Sequence, residues 1–366
     1  MSDNAVFAER LKALSAALAA APPDRRPLDA LLISGLPNIR YLSGFTGSNA
    51  LLLVAGGSAT LLTDPRYTLQ AAKQSPFPAR IGKGPLVSLA ADLVKRRKFK
   101  RLGVERNRIS FETWAALESA LPAGCKMVPV TNAVEDLRMV KSAEETALIR
   151  DSVETNSRAF RRAMKGFRAG MRENELAAEI DYQARRAGAE SPAFETIVAA
   201  GERSAFPHAR PTGEKIGSKT MLLIDMGSFQ AGYASDMTRT LFVGKASKRF
   251  KQAYRAVLEA QLAAIDRVRP GVTSGEVDSA ARSALTKAGH GAAFVHSTGH
   301  GLGLEIHEQP RIGDKGTVAL QAGFVITIEP GVYFEGWGGI RIEDTVVVTE
   351  TGCEVLTPTP KDLVEW

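Results

Sequence analysis

Between residues 28 and 64, short apolar runs alternate with turn residues. Leu31-Leu32-Ile33, Leu51-Leu52-Leu53-Val54 and Leu61-Leu62 are separated by a break at Gly35 to Asn38 and by Gly56-Gly57, a pattern that predicts strands joined by tight turns. Helical spacing follows at residues 67–74, 86–98 and 111–120, so the N-terminal part reads as an α/β layer structure. Ahead of it, Leu11, Leu14 and Leu18 recur on one helical face, and Asp3 and Glu9 interrupt the alanine-rich start. This is an amphipathic first helix and not a secretory leader. The pattern runs out near residue 138. At 366 residues the chain is long for one core, which places a smaller α/β domain at 1–138 and a second domain at 139–366.

The second domain opens with a capping box, Ser142 with Glu145, ahead of an apolar face through Leu148, Val153 and Phe160. Another helix is expected at 173–187, then strands at 196–200, 221–226 and 232–243. Helices at 247–268 and 274–288 precede final strands at 324–328 and 341–349. Helices and antiparallel strands are segregated, the mark of an α+β domain.

Composition narrows the class. Apolar residues make up 44% and charged residues 24% of the chain, as in ordinary globular domains. No window approaches the roughly 20 apolar residues of a membrane helix. Two cysteines, Cys125 and Cys353, are too few for a disulfide framework, so a reducing cytoplasm is expected. The formal charge of +7 is uneven: residues 1–138 hold 19 basic against 11 acidic side chains, and the remainder is nearly balanced. Much of the excess is the run Lys95 to Arg101. It lacks an aromatic platform or recognition motif beside it, and reads as a solvated helix end leading into a strand at 102–104 and not as a nucleic-acid patch.

Three of the five histidines, His296, His300 and His307, cluster within one short segment interleaved with Gly299, Gly301 and Gly303. The glycines are expected to allow close approach to a ligand and unusual turns. His290, alone, reads as a packing residue. Asp225 ends the apolar run Met221 to Ile224, and Asp236 follows in the next strand, so a hairpin would bring the two together. Glu329 ends Val325 to Ile328, before Pro330-Gly331, and Glu343 follows Arg341-Ile342. Carboxylates on apolar strands are costly unless paired with cations. Four of them balance two divalent ions, and a carboxylate-rich set with one imidazole suits manganese first, with zinc, cobalt and iron(II) as competitors.

These segments, Asp225-Met226-Gly227, Gly232 to Thr240, Gly299-His300-Gly301-Leu302-Gly303 to His307-Glu308, Glu329-Pro330-Gly331-Val332-Tyr333 and Arg341-Ile342-Glu343-Asp344, resemble in order the motifs of the Xaa-Pro peptidases, aminopeptidase P and prolidase. Tyr41 to Ser48 and Thr63 to Tyr67 resemble the N-terminal domain of bacterial members. The resemblance implies a catalytic domain of the pita-bread (creatinase/aminopeptidase) fold and cleavage of peptide substrates with proline in second place. It implies two metal ions, one on Asp225 and Asp236, the other on His300 and Glu329, with Asp236 and Glu343 bridging. Glu329 would also shuttle a proton to the leaving nitrogen. His208 would contact substrate near the scissile bond and His307 would stabilise the tetrahedral intermediate. His296 and Arg341 would line the pocket, Arg341 either gripping a carboxylate or supporting Glu343. A homodimer is implied as well.

Methionine aminopeptidase is the nearest rival, but residues resembling Gln-Phe replace Arg341-Ile342 in that group. Inactive pita-bread binding modules and creatinase lack the full ligand set that is present here. Between the two Xaa-Pro activities, the segment 334–340 is too short for the extra arginine of human-type prolidases, which leans toward the aminopeptidase.

Overall fold

A computed structural model describes residues 3–20 and 26–366. The chain divides into two compact units, Met1–Arg138 and Met139–Trp366. No helix among the described residues is long and apolar enough to cross a membrane.

In the first unit α1 (Asp3–Ala20) buries Leu11 and Leu14. A six-stranded mixed sheet follows, built from β1 (Ala30–Ile33), β2 (Ala50–Ala55), β3 (Ser58–Thr63), β4 (Ala79–Ile81), β5 (Arg101–Glu105) and β6 (Lys126–Val130) in the order β4-β3-β2-β1-β5-β6. Between the strands run α2 (Leu36–Ser43), α3 (Thr68–Gln74), α4 (Leu86–Arg96) and α5 (Phe111–Ala120). Leu32, Leu53, Leu62, Leu93, Val94 and Val104 form the core on one face. The Gly35 to Asn38 break is shorter than the sequence suggests. Pro37 lies in the first turn of α2, where its missing N–H costs nothing. Glu105 accepts from Ser34 N at 2.6 Å and Gly35 N at 2.8 Å just ahead of that turn. β4 and β6 escape sequence detection because they are edge strands carrying Arg80, Lys126 and Pro129, residues that protect an edge and weaken the apolar pattern. The run from Lys95 leaves the end of α4, turns at Lys98 (φ 57) and enters β5 with Lys95 to Lys98 exposed.

The short α6 (Glu135–Met139) spans the division. In the second unit α7 (Ala143–Gly166) begins with the expected capping box, Ser142 N to Glu145 Oε2 at 3.0 Å and Glu145 N to Ser142 Oγ at 3.2 Å. With α8 (Glu173–Ala187) it covers a sheet that includes β8 (Ile197–Ala200), β9 (Thr220–Met226) and β12 (Met237–Val243); the short strands β7 (Ser191–Pro192), β10 (Ser228–Gln230) and β11 (Tyr233–Ala234) form another. A second helix pair, α9 (Lys248–Arg267) and α10 (Ser274–Lys287), covers strands β13 (Gly299–Gly301), β14 (Glu308–Ile312), β15 (Val325–Ile328), β18 (Asp344–Val348) and β19 (Cys353–Val355), while β16 (Gly331–Phe334) pairs with β17 (Gly338–Arg341). Phe250, Val257, Val277 and Leu285 from the helices meet Ile326, Ile328 and Val346 from the sheet. Each such burial contributes roughly 1.5–3 kcal/mol.

Two strands expected to be continuous are broken. Residues 232–243 divide at Ser235-Asp236, and 341–349 divide at Ile342-Glu343. At each break the chain passes from one sheet to another, β11 to β12 and β17 to β18. The same happens at Glu329 between β15 and β16.

Candidate metal centre

Strand alternation decides which side chains face inward to the site. On β9, Leu222 and Ile224 bury under α7 and α8, so Asp225 takes the opposite face. β12 pairs antiparallel with β9, Thr238 opposite Asp225. Met237 and Leu241 join the helix-covered core, leaving Asp236 and Thr238 on the face of Asp225. On β15, Ile326 and Ile328 pack toward α9 and α10, and Thr327 with Glu329 faces the other way. The hairpin expected from sequence is present, with the small β10/β11 hairpin at its tip.

Donor atoms of Asp236, His300 and Glu343 lie within 4.8 Å of one another. His300 Nε2 stands 3.6 Å from Asp236 Oδ2 and 3.4 Å from Glu329 Oε1, while Nδ1 is 2.9 Å from the Gly301 carbonyl. A carbonyl only accepts, so Nδ1 carries the proton and the Nε2 lone pair faces the carboxylates. Burial pulls the ring pKa down to about 4, which keeps it neutral. Burial, with the neighbouring carboxylates, pushes Asp236 and Glu343 well above the usual range and lifts Glu329 to about 8. Asp225 Oδ1, Asp236 Oδ1 and Glu343 Oε1 are buried without a hydrogen-bond partner. Orphaned oxygens beside an imidazole lone pair are a repulsive arrangement until a cation satisfies them. The residues present fit a divalent metal.

Arg341 restrains two of these carboxylates, Asp225 directly and Glu343 through Thr238. It donates to Asp225 Oδ2 at 2.6 Å, to Thr238 Oγ1 at 3.0 Å, to Tyr333 Oη at 2.7 Å and to the Pro207 carbonyl at 3.2 Å. Thr238 Oγ1 donates onward to Glu343 Oε2 at 2.7 Å. Of the two roles weighed from sequence, support of the site describes this geometry, but Arg341 grips Asp225 directly and reaches Glu343 only through Thr238. Tyr333, which sequence reasoning passed over, links Arg341 to His296 Nε2 at 2.9 Å. His296 Nδ1 is 2.7 Å from the Ser297 carbonyl, so proton donation runs from Arg341 to Tyr333 to His296 to Ser297. Burial and the Arg341 charge bring His296 down to about 4.

The His307 ring lies edge-on to His300 at 4.4 Å between centroids. Burial, together with His208, holds its pKa below the ordinary value. His208 is exposed on the segment after β8, near enough for its charge to act on both His296 and His307. The structure therefore groups all nine predicted residues. His290 lies apart, its ring against Phe334.

The glycines flanking His300 serve a different purpose from the one expected. Neither has positive φ. A Cβ on Gly299 would lie 2.0 Å from Thr327 O, and one on Gly301 would lie 2.2 Å from Gln309 O. The close approach is between adjacent strands, not toward a ligand.

With this geometry, residues 147–350 match metallopeptidase family M24 and residues 10–140 match the Creatinase/Prolidase N-terminal domain. The chain is 35% identical to an Xaa-Pro dipeptidase of Pyrococcus horikoshii over 93% of its own length and 96% of that protein. An Xaa-Pro dipeptidase structure from Bacillus anthracis superposes with a TM-score of 0.94 at 35% identity, covering 98% of this chain and 100% of the other. An X-Pro aminopeptidase structure from Thermotoga maritima gives 0.87 at 38% identity, covering 93% and 98%. The chain belongs to metallopeptidase family M24, with the pita-bread catalytic fold behind a creatinase-type N-terminal domain.

Proposed function

We propose that this protein is an Xaa-Pro dipeptidase, hydrolysing the bond between a first residue and a carboxyl-terminal proline, with Asp225, Asp236, His300, Glu329 and Glu343 as ligands of two divalent ions. Manganese is the first choice, given hard oxygen donors and a single imidazole. The observation that carries the reading is that donor atoms of Asp236, His300 and Glu343 gather within 4.8 Å of one another, while Asp225, Asp236 and Glu343 each keep a buried oxygen without a hydrogen-bond partner. Held by these residues, such ions would supply Lewis acidity, polarising a carbonyl and lowering the pKa of water toward neutrality.

The chain's own residues supply the rest. Glu329 takes up the proton of the attacking water and passes it to the departing proline nitrogen, as a general acid–base must. His307 would stabilise the carbonyl oxygen as it gains charge, and His208 would contact the substrate near the scissile bond. Arg341 restrains Asp225 and, through Thr238, Glu343. A domain boundary after residue 138 and a cytoplasmic homodimer belong to the same reading.

The dipeptidase is placed ahead of the aminopeptidase because relatives bearing that name span nearly the whole chain. This reverses the lean drawn from the short 334–340 segment. The aminopeptidase remains the second reading, favoured by the similarity to the Thermotoga maritima structure. Hydrolysis by manganese-loaded protein of an Xaa-Pro dipeptide, an Xaa-Pro tripeptide and a Met-Ala control decides it. Cleavage of the dipeptide alone supports the dipeptidase, and cleavage of the tripeptide supports the aminopeptidase. Cleavage of neither overturns the Xaa-Pro reading.

A further inference from the structure

Outside the metal centre, Glu173, the first residue of α8 and 0% exposed, is a heavily bonded buried carboxylate that no catalytic step uses. Its Oε1 accepts from Ala200 N at 2.9 Å and Arg203 Nε at 3.2 Å. Its Oε2 accepts from Arg203 Nε at 3.0 Å, Thr212 N at 3.0 Å and Thr212 Oγ1 at 2.8 Å. A carboxylate away from water is stable only when its lone pairs are filled, and here the donors come from both ends of one segment. Ala200 ends β8, Thr212 lies beyond the turn, and residues 201–211 between them carry Phe206-Pro207-His208. Arg203 adds a strut across the segment, donating to the Arg210 carbonyl at 2.5 Å.

The middle of the segment is tethered to the metal centre. Gly339 N donates to Ser204 Oγ at 2.8 Å, and the Pro207 carbonyl accepts from Arg341. The His208 ring, exposed to solvent, is held by no hydrogen bond among the described residues. Its position is therefore inherited from the backbone, and the backbone is fixed by Arg341 at the centre and by Glu173 at both ends.

We propose that Glu173 is a positioning residue for the peptidase reaction, its carboxylate clasping both ends of the segment 201–211 so that His208 is presented to the substrate. The proposal rests on the Xaa-Pro reading for the role of His208. Releasing the clasp lets His208 wander, and displacement of about 1 Å at a reacting group can cost up to about a hundredfold in rate.

The test is a double-mutant cycle on the metal-loaded full chain, with Glu173→Gln and His208→Ala singly and together, read as kcat for an Xaa-Pro dipeptide. Glu173→Gln is expected to lower kcat at least about tenfold with metal content unchanged, and less than about twofold in the His208→Ala background, because contacting networks are non-additive. Hydrogen exchange across residues 201–212 should accelerate in the same variant. Losses that multiply across the two backgrounds, or an unchanged kcat, would overturn the proposal. Should Glu173→Gln fail to fold, Thr212→Val removes one donor and enters the same cycle. If the wild-type protein cleaves no Xaa-Pro peptide, the functional reading falls by itself, and hydrogen exchange still decides whether Glu173 holds the segment.

Discussion

The guanidinium of Arg341 and the carboxylate of Asp225 meet at 2.6 Å, Nη2 to Oδ2, with both side chains almost wholly removed from water. The contact uses one oxygen of Asp225 and leaves Oδ1 without a hydrogen-bond partner. One carboxylate therefore answers to a fixed organic cation on one side and is available to a metal on the other.

Removal of that fixed cation should be felt by the metal. Arg341→Met keeps the stem volume but strands Asp225, and loss of a partner that orients a ligand costs about 10–100-fold in metal affinity or activity. Isothermal titration of apo-protein with manganese measures it. Unchanged affinity would mean that Asp225 does not bind metal.

Asp236→Ala removes the carboxylate placed between His300 and the Glu343 neighbourhood. Turnover should vanish and metal content should fall, measured by elemental analysis of the purified variant. His208→Ala, by contrast, should retain the metals and lose about 10²-fold in kcat, the scale of a positioned acid–base or oxyanion group. Metal loss in that variant would place His208 among the ligands.

Stability should depend on pH in opposite ways with and without metal. In apo-protein Glu329 rises from its ordinary 4.5 to about 8, and Asp236 and Glu343 rise as well. A raised folded-state pKa contributes stability below the unfolded value and loses it as pH climbs through the folded one, so apo-protein weakens between these limits. Metal displaces the protons, and the increment in Tm on adding manganese should be larger at about pH 8 than at about pH 6. Thermal scans at both values decide it.

Gly299→Ala should be far more harmful than its one methyl suggests. The new Cβ would meet Thr327 O at 2.0 Å, forcing β13 away from β15 and moving His300. Overpacking of this kind costs roughly 1–3 kcal/mol or more, and chemical denaturation should show it even in apo-protein.

Much of the site was legible in the sequence because its residues are chemically out of place there. Acids that end apolar runs, and histidines gathered between glycines, are costly arrangements that needed a reason. What was not legible depends on tertiary contact. Tyr333 and Thr238 look like ordinary strand residues until Arg341 is seen to bond both. Glu173 reads as an acidic first-turn residue, and only the fold shows that Ala200, Arg203 and Thr212 converge on it. The purpose of Gly299 and Gly301 was misread because a neighbouring backbone, unlike a ligand, leaves no mark in local sequence. The breaks at Asp236 and Glu343 were missed because the apolar pattern runs through them, and hydropathy does not record a change of hydrogen-bonding partner.

Those breaks bear on the order in which the molecule forms. Asp236, Glu329 and Glu343 each occupy a point where the chain leaves one sheet for another, so none takes up its final direction until both sheets exist and have docked. The partners are distant in the chain, Thr238 with Glu343 and Asp225 with Arg341, and such long closures come late in folding. Chains lacking the last strands thus cannot yet bring these carboxylates together, and any metal that they hold would be captured only after β18 has formed.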